Sequence, residues 1–162
     1  MPRHESARRA PARIGERLLD ARRISEWQLR RALFQQRDGE RIGEALVRLG
    51  FVAEAELLAE LARQHGVAYV EIGGQQVDPA VVRKLPEKLI RARRVFPIVH
   101  ARVGGRPLIV VATSEPQNLA MLDEVAFASG ARVQPMLASE RDIERAVERH
   151  LGPAASPAAV GR

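Results

Sequence analysis

Arg13-Ile14-Gly15-Glu16 returns as Arg41-Ile42-Gly43-Glu44, and no other feature restricts the fold of this 162-residue chain as tightly. Aligning residues 13–36 with residues 41–64 gives nine identities in 24 positions, where unrelated segments of ordinary composition share about two. Beyond the tetrapeptide, the shared positions are Leu18/Leu46, Glu26/Glu54, Leu29/Leu57, Leu33/Leu61 and Gln36/Gln64. Each copy is expected to be the same helix-loop-helix hairpin, used twice side by side. Ile14, Leu18, Leu29 and Leu33, with Ile42, Leu46, Leu57 and Leu61, fall at helical spacing, so four short helices are expected to close a small bundle.

Local signals place the helix ends. Ser25 stands at an N-cap position with Gln28 three residues on, a capping box, and Ile24 is placed to staple to Leu29. The helix that follows is expected over about Glu26 to Gln36, stopped by Asp38-Gly39. In the second copy a helix from Arg41 to Leu49 stops at Gly50, and the next runs to His65 before Gly66. Ala53 replaces Ser25 there, a poorer cap.

After Gly66 the pattern changes. Val67 to Ile72 reads as a strand ended by Gly73-Gly74. Asp78-Pro79 opens a short helix through about Arg83, and Pro86 opens another. Val95–Ala101 and Pro107–Ala112 read as strands flanking a Gly104-Gly105 turn, the second apolar on both faces and so central. Asn118 caps a helix that ends at Gly130, Arg132–Leu137 is a further strand, and Ser139 begins a last helix to about His150. The strand-helix-strand run from Pro107 to Leu137 implies a parallel pair in a small mixed sheet. The expected class is therefore α+β: residues 1–11 a mobile leader, 12–66 a duplicated helical-hairpin subdomain, 67–151 an α/β subdomain, and 152–162 a disordered tail or linker.

Several functions are excluded or disfavoured. Without cysteine there is no disulfide, thiolate metal site or Cys nucleophile, which fits a cytoplasmic address. No apolar run reaches membrane-spanning length, and the Arg-rich start has no apolar core of a signal peptide behind it. The net charge of +6 comes almost wholly from arginine, with acidic residues interleaved; a nucleic-acid surface more often segregates its basic residues. No phosphate loop, dinucleotide fingerprint, zincin motif or nucleophile elbow occurs. The four histidines are scattered, so a metal cluster is not expected, and neither is an enzyme. Trp27 reads as a packing residue, and the acidic pairs Asp123-Glu124 and Glu140/Asp142 as solvated or first-turn positions.

In each copy, then, an Arg starts a helix, a Gly follows two residues later and a Gln ends the partner helix. Free N–H groups at a helix start suit a phosphate, and glycine lets a ligand approach the backbone. Arginine offers a fork for the O6/N7 edge of guanine or for phosphate, and glutamine donates and accepts at once. Two such units suit a two-fold ligand. The same residues also suit a plain duplicated hairpin in which Arg and Gln tie helix ends together.

The paired pattern Arg13-Ile-Gly-x-x-Leu-Leu…Leu29…Leu33-x-x-Gln36 and Arg41-Ile-Gly-x-x-Leu-Val-x-x-Gly50…Leu57…Leu61-x-x-Gln64 resembles the tandem motif of the N-terminal, MshEN-type domain of type II secretion and type IV pilus assembly ATPases. Asp78-Pro79, Leu85-Pro86, Val95-Phe-Pro97, Leu108–Ala112, Glu115-Pro-Gln-Asn118 and Ala138-Ser-Glu140 resemble its remainder. The resemblance implies a regulatory and docking domain that in some members binds cyclic di-GMP across both motifs. By position that role falls to Arg13, Ile14, Gly15, Gln36, Arg41, Ile42, Gly43 and Gln64, with Leu29, Leu33, Leu57 and Leu61 lining the ring faces. Copy one departs from the pattern in carrying Arg22 where the family has glycine, and in the four-residue spacer Arg37–Glu40 where five are usual. Implied partners are the ATPase or an inner-membrane platform protein, with a peripheral location gained through them; the alternative is a docking domain that binds no nucleotide. No ATPase motif lies within these residues, as expected either of a fragment of a longer protein or of a stand-alone sensor that works in trans.

Overall fold

The computed structural model describes residues 13–154, so the expected leader and the expected tail beyond Ala154 lie outside the described residues. The architecture is α+β, with eight helices and one three-stranded mixed sheet among the described residues. Backbone contacts divide the chain into two compact units at Leu61/Ala62. Each has its own apolar core.

The first unit is the duplicated one. Helices α1 (Ile14–Asp20), α2 (Glu26–Phe34) and α3 (Ile42–Arg48) lie in it, and α4 (Glu54–His65) begins in it. Leu18, Ile24, Ala32, Ala45, Leu46, Val52 and Leu57 form its core, with Ile14, Leu29, Ile42 and Leu61 packed partly buried against them. The Ser25 capping box forms as read: the Gln28 amide donates to Ser25 Oγ at 3.2 Å and the Ser25 amide to Gln28 Oε1 at 2.8 Å. Helix α2 nevertheless stops at Phe34, two residues short of the expected Gln36. Just past its end Arg48 Nη2 donates to the Gln35 carbonyl at 2.9 Å, and Arg48 grips both carboxylate oxygens of Glu40 at 2.7 and 2.9 Å. That clamp closes the short Arg37–Glu40 spacer beyond the end of α2.

The second unit holds α5 (Pro79–Val82), α6 (Glu87–Arg93), β1 (Val95–Val103), β2 (Arg106–Thr113), α7 (Leu119–Ser129), β3 (Arg132–Leu137) and α8 (Glu140–Leu151). The strand order is β1-β2-β3, antiparallel then parallel, with β2 central as its apolar run implies. Ile109 and Val111 point from β2 into a core shared with Phe96, Ile90, Val125 and Ile143.

The strand expected over Val67 to Ile72 is not one. Only a single parallel bridge forms, Tyr69 to Leu137. The backbone beyond it is claimed from another side: Asp142, in the first turn of α8, accepts from the amides of both Ile72 and Gly73. Two more of the acidic residues read as solvated or first-turn positions form ion pairs, Glu124 with Arg93 and Glu140 with Arg94. Sequence spacing could not show these pairings, which join residues 31 to 70 positions apart.

Candidate ligand site on the duplicated hairpins

Arg13 and Arg41 are the N-cap residues of α1 and α3, with matching extended backbones (φ −64°, ψ 151° and φ −76°, ψ 150°). A guanidinium cannot accept a hydrogen bond, so neither side chain caps its own helix. In both copies a glutamate three residues on holds the amide of the N-cap residue instead. The Arg13 amide donates to Glu16 Oε2 at 3.2 Å, and the Arg41 amide to Glu44 Oε2 at 2.9 Å. Sequence reading left Glu16 and Glu44 without a role although the repeat preserves both; their place three residues past the N-cap was the available signal. These bonds take the amide of the N-cap residue itself; no side-chain hydrogen bond caps the first-turn amides of α1 or α3. Both arginines are exposed, and among the described residues no ion pair or hydrogen bond engages either guanidinium.

The glycines have a different reason from the one expected. A Cβ on Gly15 would stand 2.8 Å from Leu29 Cδ1, and one on Gly43 would stand 2.9 Å from Leu57 Cδ1. The space is therefore filled by the hairpin's own leucine rather than left for a ligand. Glycine two residues after each arginine lets the second helix of the hairpin close on the first.

The next leucine of each copy differs. Leu33 is 54% exposed on α2, whereas Leu61 is half-buried against the core. Ile14 and Ile42 are half-buried alike.

The glutamines diverge most. Gln36 lies beyond the end of α2 and its Nε2 donates to the Glu40 carbonyl. Gln64 is held in the last turn of α4, one helical face with Leu57 and Leu61. Its Oε1 is buried with no hydrogen-bond partner. A buried amide oxygen without a donor costs on the order of 1–3 kcal/mol.

Arg22 resolves the other departure from the repeat. It adopts φ 55° where its counterpart Gly50 has φ 74°. Both helices end in the same pair of bonds, Arg22 amide to Leu19 carbonyl and Arg23 amide to Leu18 carbonyl in copy one, Gly50 to Val47 and Phe51 to Leu46 in copy two. The turn survives without its glycine.

Two like hairpins followed by a small mixed sheet with helices define an N-terminal domain of the kind carried by type IV pilus and type II secretion ATPases. The sequence pattern of the MshEN domain matches residues 65–157, more than half of the chain, and the chain belongs to the MshEN domain family. It is 34% identical over 139 residues, 85% of its length, to the type IV pilus assembly ATPase PilB of Myxococcus xanthus (strain DK1622). It spans 24% of that relative. Among solved structures it is similar to MshE with cdg, at TM-score 0.67 and 29% identity, covering 86% of this chain and 99% of that one. The N-terminal domain of XpsE shares the fold at TM-score 0.52 and 24% identity, covering 85% and 92%. Among the described residues no helix is long and apolar enough to cross a membrane.

Proposed function

We propose that this chain is a non-catalytic regulatory and docking domain of a pilus or secretion system, and that its duplicated hairpins bind cyclic di-GMP. The observation that carries the reading is the pairing of Arg13 and Arg41: two arginines in one backbone conformation, each with its amide held by a glutamate and its guanidinium unengaged among the described residues. Cyclic di-GMP has two guanines and two phosphates related by two-fold symmetry, so two equivalent arginines match two equivalent edges. In this reading Leu29, Leu33, Leu57 and Leu61 give the bases apolar surface beside Ile14 and Ile42, Gly15 and Gly43 set the leucines in place, and Gln36 and Gln64 complete the polar contacts. The similarity to MshE with cdg supports the choice of ligand.

Isothermal titration with cyclic di-GMP tests it. Saturable heat at micromolar ligand is expected, lost in Arg41→Ala with the melting temperature nearly unchanged; no heat at tens of micromolar ligand sinks the reading.

One observation favours a second reading, in which the domain only docks, to the ATPase or an inner-membrane platform protein that would hold it at the membrane's cytoplasmic face. Gln36 is engaged with the Glu40 carbonyl and lies outside α2, so copy one presents its glutamine differently from copy two. Retained pull-down of the platform's cytoplasmic domain by an Arg13→Ala/Arg41→Ala variant that gives no nucleotide heat would support docking alone.

A further inference from the structure

The repeat serves as its own control for what the fold requires. Where copy two has Ala55, Ala59 and Ala62, copy one has Trp27, Arg31 and Phe34, and the helix forms in both. Packing does not account for the larger side chains. Trp27, expected from sequence to pack, is 61% exposed, with its ring beside Phe51 at 5.8 Å between ring centroids. Phe34 is 90% exposed. The Arg31 guanidinium lies 5.4 Å over the Trp27 ring, and no ion pair holds it among the described residues. These three residues follow i, i+4, i+7 spacing and form one ridge along α2. At about 100° per residue the ridge stands roughly 140–200° around the helix from Leu29, on the opposite side from the Leu29/Leu33 face.

Charge separates the copies further. Residues 22–37 carry five arginines against one glutamate, net +4, while the matching residues 50–65 carry one arginine against three glutamates, net −2 with histidine neutral. A ridge of exposed aromatics with two-turn spacing fits the apolar seam of another helix. Its basic surroundings select an acidic one. Arginine and tryptophan are also the residues most often found to dominate protein interfaces.

We infer that the Trp27–Arg31–Phe34 ridge of α2 is a docking surface for an acidic amphipathic helix of a partner protein, separate from the proposed nucleotide face. A lipid surface fits less well, since the acidic Glu26 is exposed on the same helix and only two aromatic side chains are offered, too little apolar area for a monotopic helix.

Trp27 is the chain's one tryptophan, so its emission reports directly on the ridge. The probe is a synthetic helix of about 18 residues, five turns, with leucine along one face and glutamate flanking it; the control carries lysine for glutamate. The acidic peptide is expected to shift Trp27 emission to the blue and saturate, the lysine peptide to leave it unchanged. Arg31→Glu/Phe34→Ala is expected to weaken the acidic peptide at least about tenfold, with unchanged helical circular dichroism and unchanged cyclic di-GMP heat. An unresponsive Trp27, or equal binding of both peptides, overturns the proposal. So does co-sedimentation with phosphatidylserine/phosphatidylcholine vesicles that the double substitution abolishes, which assigns the ridge to lipid. Self-association that the same substitution abolishes assigns it to a second copy of this chain and overturns the proposal equally.

Discussion

Arg22 and Gly50, 28 residues apart, hold the same left-handed backbone at φ 55° and φ 74° and close the same two hydrogen bonds at the ends of α1 and α3. A side chain in that region costs about 1 kcal/mol relative to glycine. Arg22→Gly is therefore expected to raise the unfolding free energy by roughly that amount, read as a higher urea midpoint at unchanged slope. A lower midpoint would show that the Arg22 side chain stabilises the turn by more than its backbone strains it.

The two packed glycines should respond unequally to alanine. A Cβ on Gly43 meets both methyls of Leu57, at 2.9 and 3.1 Å, and Leu57 is buried; at Gly15 only one Leu29 methyl is close, and Leu29 is half-buried with room to turn. Overpacking opposes the gain alanine brings to a helix. Gly43→Ala is expected to destabilise by about 1 kcal/mol and Gly15→Ala by less than half of that, measured by chemical denaturation. Equal losses would mean that the two hairpins close alike.

Glu40 gives the fold a defined acid dependence. The Arg48 guanidinium, bonded to both its oxygens, and the Arg37 amide hold its carboxyl down at about 2 from an ordinary 4.5. A carboxylate depressed in the folded state contributes stability that is fully present above 4.5 and is lost as pH falls through the window from 4.5 to about 2. The contribution comes from an exposed pair and is correspondingly small. Glu40→Gln should show a lower urea midpoint than the parent at pH 6 and no difference near pH 2. A gap that persists at pH 2 would assign the effect to shape rather than charge.

Asp142 ties the Val70–Val77 segment to α8 through the amides of Ile72 and Gly73, and a Cβ on Gly73 would stand 2.2 Å from Asp142 Oδ1. Ile72 is fully buried and Gly73 is buried beside it, so removing the acceptor strands two amides. Asp142→Ala is expected to cost on the order of 2–4 kcal/mol, and hydrogen exchange at Ile72 and Gly73 should speed up. Unchanged exchange there would refute the tie.

The duplication, the four helices of the hairpins, the Ser25, Asp78, Asn118 and Ser139 caps, and the central place of β2 were legible in the sequence. Each rests on a rule that acts within a few residues: a shared period, a side chain reaching an amide two or three positions on, or an apolar run bounded by turn residues. What tertiary structure alone decided were the contacts between positions far apart in the chain. Asp142 took the Ile72 amide at the end of the expected strand over Val67 to Ile72, Arg48 clamped the Glu40 turn that follows α2, and Leu29 and Leu57 packed against the two motif glycines. The two copies share a pattern yet present Gln36 and Gln64 differently, because a repeat fixes each hairpin's own geometry while its surroundings, which differ for each copy, decide which polar atoms are left to bind something else.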